Sequence, residues 1–490
     1  MAIRKDVRRG VNASGWSSSL EWYARAVAAM QARPINDRTS WRYVAAIHGF
    51  DKAGWTQKGL ITPTDPLPPA AEQKKMWDQC QHGGWYFLPW HRGYLSAFEA
   101  AVAKTIAALG GPADWAMPYW NYLDSADPKA RNIPPAFLAP TLPDGTHNML
   151  SSWPRGGVKV LGPTPWLPRD ITLAAMGVHR FTAANGTVGF GGGTSGFAHF
   201  GNLTGAVEGN PHNLVHVMIG GVGATAGFMS DPNYAALDPI FWIHHCNIDR
   251  LWAAWLTQSG NIQENGAPWM QGPFPRQFEM PDPTGHLGVF APAQTLPGGP
   301  LAPTYDDLNT GTGVTVAVAA APAGGAAMPA STSSQPPPAA TLVGSNAEAM
   351  TVAGVAATTT VRIAAAAADI AAAPVPQRLF LNLENIRGAA PSGVLNVFVS
   401  LPAQGTVPAS APELVDTVTL FGLAKAAAVD GPHGANGLTV AIDITELAKS
   451  LAILSQSSLD QLQVRIEQPG GEKLQPISVG RVSIFRQPVE

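Results

Sequence analysis

Residues 238–252 read Asp238-Pro239-Ile240-Phe241-Trp242-Ile243-His244-His245-Cys246-Asn247-Ile248-Asp249-Arg250-Leu251-Trp252. Aromatic and aliphatic side chains surround two adjacent histidines, and Asp249 follows His245 by one helical turn. The spacing predicts a helix that continues through Trp255. Imidazole nitrogens need polar partners, so an apolar frame around a histidine pair raises the question of what they bind.

The other histidines point to an answer. In Glu208-Gly209-Asn210-Pro211-His212-Asn213-Leu214-Val215-His216 two of them are four residues apart, so a helix turns both to one side. Asn210 is suited to cap that helix and Pro211 to its first turn. With His245 they make three imidazoles. His48, His82 and His91 make a second three, from separate segments. Singly, each reads as a core residue, a helix-end cation or a surface residue. Two triplets embedded in apolar sequence do not. Neutral imidazoles suit zinc, copper, iron and nickel, whereas magnesium, calcium and manganese want oxygen. The Glu-x-x-His pairs of di-iron carboxylate bundles are missing from the sequence. Six nitrogens without a carboxylate shift the balance from a zinc hydrolase towards two copper ions. Three imidazoles leave each copper an open position, so two facing coppers could hold one O2 between them.

His82-x4-Phe87-Leu88-Pro89-Trp90-His91-Arg92-x2-Leu95-x3-Glu99 and Asp238-Pro239-x-Phe241-Trp242-x2-His245-x3-Asp249 resemble the two copper signatures of tyrosinases and related type 3 copper proteins. Residues 210–216 are similar to the first part of that family's second copper site. The resemblance spans roughly residues 10–310. It implies that copper A takes His48, His82 and His91, and that copper B takes His212, His216 and His245. It also implies a mainly α catalytic domain: a four-helix bundle core holding two coppers, with long loops. The implied activity is O2-dependent ortho-hydroxylation of monophenols and oxidation of o-diphenols to o-quinones. The alternatives are a catechol oxidase without hydroxylation and a haemocyanin-like O2 carrier. Plant catechol oxidases of this family often carry a phenylalanine thirteen residues before the last ligand; here that residue is Pro232, which suggests an open site.

Further residues have a bland reading beside the functional one. Glu208 could complement a helix N-terminus, but the resemblance implies that it holds a water near the coppers and, with Asn213, deprotonates phenols. Asp249 could pair with Arg92 or Arg250, or orient a metal-bound histidine. Glu99 reads as the structural partner of an arginine. Cys80, two residues before His82, is either a small core residue or, as in several family members, a thioether partner of that histidine. Cys246 reads as core, as do Phe87, Trp90, Phe241 and Trp242. His244 is not a ligand in the family pattern and is expected either to support the ligands from behind or to pack. His147, His179, His199, His286 and His433 fall outside the signatures.

The 490 residues suffice for more than one core. Charged residues are 13% and the net charge is −3, so nucleic acid and anionic membrane surfaces are not expected partners. Small phenols and O2 are, and a homo-oligomer is compatible with the sequence. Two cysteines cannot build a disulfide framework. Ser17, Ser18, Ser19 and Glu21 interrupt the N-terminal stretch, so no secretion signal is legible and cytoplasmic is the expected location; export with a carrier protein remains open.

Three regions are expected: a catalytic domain at 1–310, an Ala/Gly/Pro-rich linker at 311–376 and a small antiparallel β domain at 377–490. Ser18-x-x-Glu21 reads as a capping box opening a helix that stops before Pro34, and a second helix ends near His48-Gly49. Helical spacing resumes from Trp90. Within the linker, Val314–Val318 and Thr359–Ile363 could be isolated strands. Period-two runs at 379–383, 395–399, 438–442, 462–466 and 479–484 read as strands, and 447–454 as a short helix. The family resemblance extends weakly to this β domain and implies a lid over the copper site.

Overall fold

Capping chemistry starts the first helices of the computed structural model, which describes residues 2–223, 226–310, 337–364, 377–403, 409–429, 436–455, 460–469 and 475–489. The Ser17 hydroxyl accepts from the Leu20 N–H and opens α1 (Ser18–Gln31), one residue ahead of the expected cap. Ser40 accepts from the Tyr43 N–H and opens α2 (Trp41–His48), which ends on its histidine. Two short helices, α3 (Lys52–Gln57) and α4 (Ala70–Met76), lead into the loop that carries Asp78 and His82.

Helix α5 (Phe87–Ala108) begins three residues before the expected Trp90. Pro89 is tolerated there because the first turn leaves its N–H groups unpaired anyway. Before α6 (Leu214–Gly220) comes a wide turn at 208–213, in which Asn210 is extended (φ −143°, ψ 118°). Asn210 does not cap the helix with its side chain. Its Oδ1 accepts from the Thr172 N–H and its Nδ2 donates to the Asp170 carbonyl, tying the turn to the long loop before it. Asp238 caps α7 (Pro239–Trp255), whose side chains are buried almost without exception. A short α8 (Ala267–Gln271) follows.

α5 lies against both α1 and α7, and the Phe98 and Trp242 rings stack across the α5–α7 seam. Strand β1 (Ile3–Arg4) and the hairpin of β2 (Phe278–Pro281) and β3 (Leu287–Phe290) edge this helical part, with β4 (Thr304–Tyr305) running parallel to β1.

The C-terminal part is one nine-stranded antiparallel sheet. Its strands are β5 (Thr341–Ser345), β6 (Met350–Val352), β7 (Ala356–Ile363), β8 (Gln377–Arg387), β9 (Val394–Ser400), β10 (Glu413–Thr419), β11 (Leu438–Asp443), β12 (Gln461–Glu467) and β13 (Ile477–Pro488). Their order is β10-β9-β12-β7-β5-β13-β8-β11, with β6 on β13. The two end strands approach each other, curling the sheet towards a barrel. Leu381, Leu383, Val397, Val399, Val464 and Ile466 fill its core at every second position. α9 (Leu423–Ala427) follows β10, and α10 (Thr445–Ser455) covers the expected 447–454 helix.

All five period-two runs lie in strands. The expected linker is the correction: residues 341–363 supply β5, β6 and β7. Thr359–Ile363 is not isolated, because β7 pairs with both β12 and β5. Alanine-rich composition suggested a linker there, but Thr358-Thr359-Thr360-Val361 is a β-branched run that suits a pleated surface. Val314–Val318 lies outside the described residues.

Candidate metal centre

His48 comes from the end of α2, His82 from the loop after α4, and His91 from the first turns of α5. All three are buried, and one ring nitrogen of each lies within 4.8 Å of the others. His48 donates Nδ1–H to the Pro232 carbonyl at 2.9 Å, and His91 donates Nδ1–H to the Phe87 carbonyl at 2.8 Å. Both tautomers leave Nε2 as a buried lone pair with no hydrogen-bond partner among the described residues. The His82 ring nitrogens have none either. Its backbone is pinned instead: the N–H donates to His199 O at 2.9 Å, and the carbonyl accepts from the Gly201 N–H at 2.6 Å.

The second triad is built the same way. His216 donates Nδ1–H to the Met229 carbonyl at 2.7 Å, and His212 donates to Asn213 Oδ1 at 2.9 Å. Nε2 of His212 and Nε2 of His216 lie 3.1 and 3.2 Å, respectively, from Nε2 of His245 on α7. Three lone pairs aimed at one point repel unless a cation sits between them. The triads adjoin, since His91 and His245 stack at 4.6 Å and 19°.

Burial pushes every one of these imidazoles down, His91 and His216 to about 3 and the other four well below the ordinary histidine value. Neutral imidazole is the form that binds metal. Six neutral nitrogens in two sets of three, with no carboxylate among them, fit two copper ions.

A family model described as the common central domain of tyrosinase matches residues 38–167 and 155–258. A domain of unknown function, DUF7868, matches residues 339–487. The tyrosinase HcTyr1 of Hahella sp. (strain CCB-MM4) is 34% identical over 501 residues, covering 96% of this chain and 97% of that one. This chain belongs to the tyrosinase family.

It is thus a copper-dependent oxidoreductase with a dinuclear copper site. The tyrosinase of Streptomyces glaucescens is 32% identical over 206 residues, 37% of this chain and 67% of that protein. Among solved structures, latent apple tyrosinase superposes with a TM-score of 0.61 at 18% identity, covering 99% of this chain and 97% of that one. The tyrosinase from Burkholderia thailandensis gives a TM-score of 0.54 at 15% identity, covering 97% and 99%. At those identities the superpositions establish the fold.

In this tyrosinase-family chain Glu208 is buried, one turn before His212. Its Oε1 accepts from the Gly83 N–H at 2.7 Å, while Oε2 has no partner among the described residues. Burial raises this carboxyl to about 8, against the pull of the Gly83 N–H. Because Gly83 adjoins His82, Glu208 links the loop of one triad to the helix entry of the other. Asn213 Oδ1 is engaged with His212, so this side chain orients a ligand.

Among the described residues Asp249 orients no histidine. It accepts from Arg92 Nε at 2.5 Å, from Arg4 Nη1 at 3.1 Å and from the Tyr305 hydroxyl at 2.5 Å. Backbone carbonyls do the orienting for His48, His91 and His216 instead. Glu99 pairs with Arg4 at 2.7 Å, the arginine partner expected of it. His244 is buried beside the second triad, with Nδ1 3.2 Å from the Tyr122 hydroxyl and its ring stacked on His212 at 5.4 Å. Phe87 and Phe241 are core residues that pack directly on His91 and His245, at 4.6 and 4.1 Å. Cys80 and Cys246 are both buried, and no disulfide joins them.

His147, His179 and His286 lie outside the centre, and His433 lies outside the described residues. His199 does not fit that group. It is buried, lies 6.3 Å from the His82 ring, and has Nε2 2.8 Å from Asp78 Oδ1. Nor does any sequence pattern single out Phe421. From the turn after β10 its ring reaches His216 at 4.4 Å, His82 at 5.5 Å and His212 at 6.1 Å, so a C-terminal side chain touches ligands of both triads. An aromatic followed by glycine, Phe421-Gly422, just past a strand was the available clue.

Proposed function

We propose that this enzyme hydroxylates monophenols at the ortho position and oxidises the resulting o-diphenols to o-quinones. We also propose that its C-terminal β domain keeps the intact chain latent. One observation carries the reading: two convergent imidazole triads share a wall with a buried carboxyl oxygen of Glu208 that has no partner among the described residues. The two triads, three imidazoles each, would hold two copper ions, which would supply the two-electron chemistry with O2 as oxidant. The residues around them hold, orient and move protons.

Glu208, anchored through Oε1, keeps Oε2 available to take a phenol's proton, directly or through one water. Asn213 fixes the tautomer and ring orientation of His212. The Pro232, Phe87 and Met229 carbonyls do the same for His48, His91 and His216. Pro232 also supports hydroxylation, since the position that is phenylalanine in many plant catechol oxidases is here a smaller residue. Phe421, lying on the imidazoles, occupies space that a phenol ring would need, which supports latency.

The test is quinone formation by copper-loaded full-length protein, wild type and Phe421→Ala, with tyrosine and with a catechol. The reading requires the variant to turn over both. Turnover of catechol alone would make the protein a catechol oxidase, and reversible O2 binding with neither substrate oxidised would make it a carrier.

A further inference from the structure

Lys425 stands on α9, four residues after Phe421. Its Nζ makes an ion pair with Asp78 Oδ1 and donates to Asn233 Oδ1 at 2.8 Å. Both acceptors belong to the catalytic part, on one loop that carries and one that supports the first triad. Asp78 precedes His82 in its loop. Asn233 follows Pro232, whose carbonyl holds His48. Asp78 is itself bonded to His199, and His199 Nδ1 lies 2.7 Å from the Cys80 carbonyl, two residues before His82. One lysine of the C-terminal domain thus ends on both walls of the site that Phe421 covers.

The geometry favours a hold on this turn. The Lys425 and Asp78 side chains are only 14% and 29% exposed, so their attraction is less screened than that of a surface pair. A lysine drawn this far out of water is costly without its acceptors. Gly422, between Phe421 and α9, adopts φ +78° with the Phe200 ring against it, so the turn has little room to shift independently. A further ion pair across the seam, Arg169 with Asp416 at 3.4 Å, joins side chains 44% and 30% exposed and reaches β10 rather than this turn.

We propose that Lys425 is the latch of the lid: its bonds to Asp78 and Asn233 hold Phe421 over the triads, and breaking them is what opens the site. This rests on the reading of Phe421 as the residue that blocks the centre. The latch is a partly buried ion pair, so removing the lysine charge, rather than adding salt, is what releases it.

The experiment uses the copper-loaded full-length chain: wild type, Phe421→Ala, Lys425→Met and Lys425→Arg. Catechol oxidation rate, copper content and hydrogen exchange of residues 421–427 are read together. Lys425→Met should raise the initial rate about tenfold and accelerate exchange in that segment at unchanged copper content. Lys425→Arg, which keeps the charge, should stay within about twofold of wild type. If Phe421→Ala activates while Lys425→Met matches wild type in rate and exchange, the latch is wrong and the lid stands. If neither variant activates, the lid reading itself fails. Should Lys425→Met not fold, Lys425→Gln decides by the same rate and exchange readouts, because a latch of this kind must give activation when the charge is removed.

Discussion

At the scale of single residues, Glu208 has the most to lose from a change of one atom. Glu208→Gln keeps the size and the Gly83 contact but removes the base, so monophenol hydroxylation should fall about 100-fold. Oxidation of catechols, whose protons are more easily lost, should fall much less, and the ratio of the two rates is the measurement. The base works only when ionised, so the hydroxylation rate must rise as pH passes upward through the Glu208 pKa. That value is about 8 without metal, and two bound cations pull it lower. The rising limb should therefore lie below pH 8 in the copper enzyme and vanish in the variant. Asp249 is a structural counterpart. Removing it strands the buried Arg92 and takes one of its two carboxylates from Arg4, which keeps Glu99, so Asp249→Ala should cost about 3–5 kcal/mol in a urea titration. If the loss is below 1 kcal/mol, Asp249 is not the ion pairs' keystone.

At the scale of elements, the ligand-bearing pieces were legible and their supports were not. α7 and the His212–His216 spacing declare themselves because helical periodicity puts chemistry on one side of an apolar rod. The carbonyls of Pro232, Phe87 and Met229 leave no such trace, since every residue has a carbonyl and only the fold brings one to an imidazole. β5 and β6 escaped, and β7 was legible only as an isolated strand over Thr359–Ile363, for a related reason: their partners β12 and β13 lie about a hundred residues or more on, and an alanine-rich stretch shows little alternation without them. The Phe421 turn is another product of tertiary structure, and Gly422 shows how tightly it is made. A methyl group there would need an unfavourable φ and would run into the Phe200 ring. Gly422→Ala should therefore displace the turn and raise basal catechol oxidation of the full-length chain, with copper content unchanged. An unchanged basal rate would mean that the turn can move without uncovering the centre.

At the scale of the whole molecule, the centre puts opposed pH dependences into the stability of the metal-free chain. Each ligand histidine has its pKa pushed below the unfolded value by burial, so the unfolded state binds more protons in acid. Their stabilising share is present above about pH 6.5 and is lost as pH falls towards the folded values, roughly 1.4 kcal/mol per pH unit for each histidine. Glu208 runs the other way: its folded pKa of about 8 lies above the unfolded one. Its share is complete below about pH 4.5 and is lost as pH rises through about 8. With six histidines against one carboxyl, the acid limb must be much the steeper. Copper holds the imidazoles as neutral ligands and binds only the folded site, so it should raise the melting temperature at every pH where it stays bound. Melting curves of apo and copper-loaded protein from pH 4 to 9 check this directly. The apo protein should lose stability sharply below pH 6.5, and Glu208→Gln should remove the opposing slope between about pH 4.5 and 8, flattening the alkaline side and steepening the acid limb down to about pH 4.5. An acid limb no steeper than one proton per pH unit would mean that the imidazoles are hydrated in the metal-free protein, and the buried, pre-assembled centre would have to be given up.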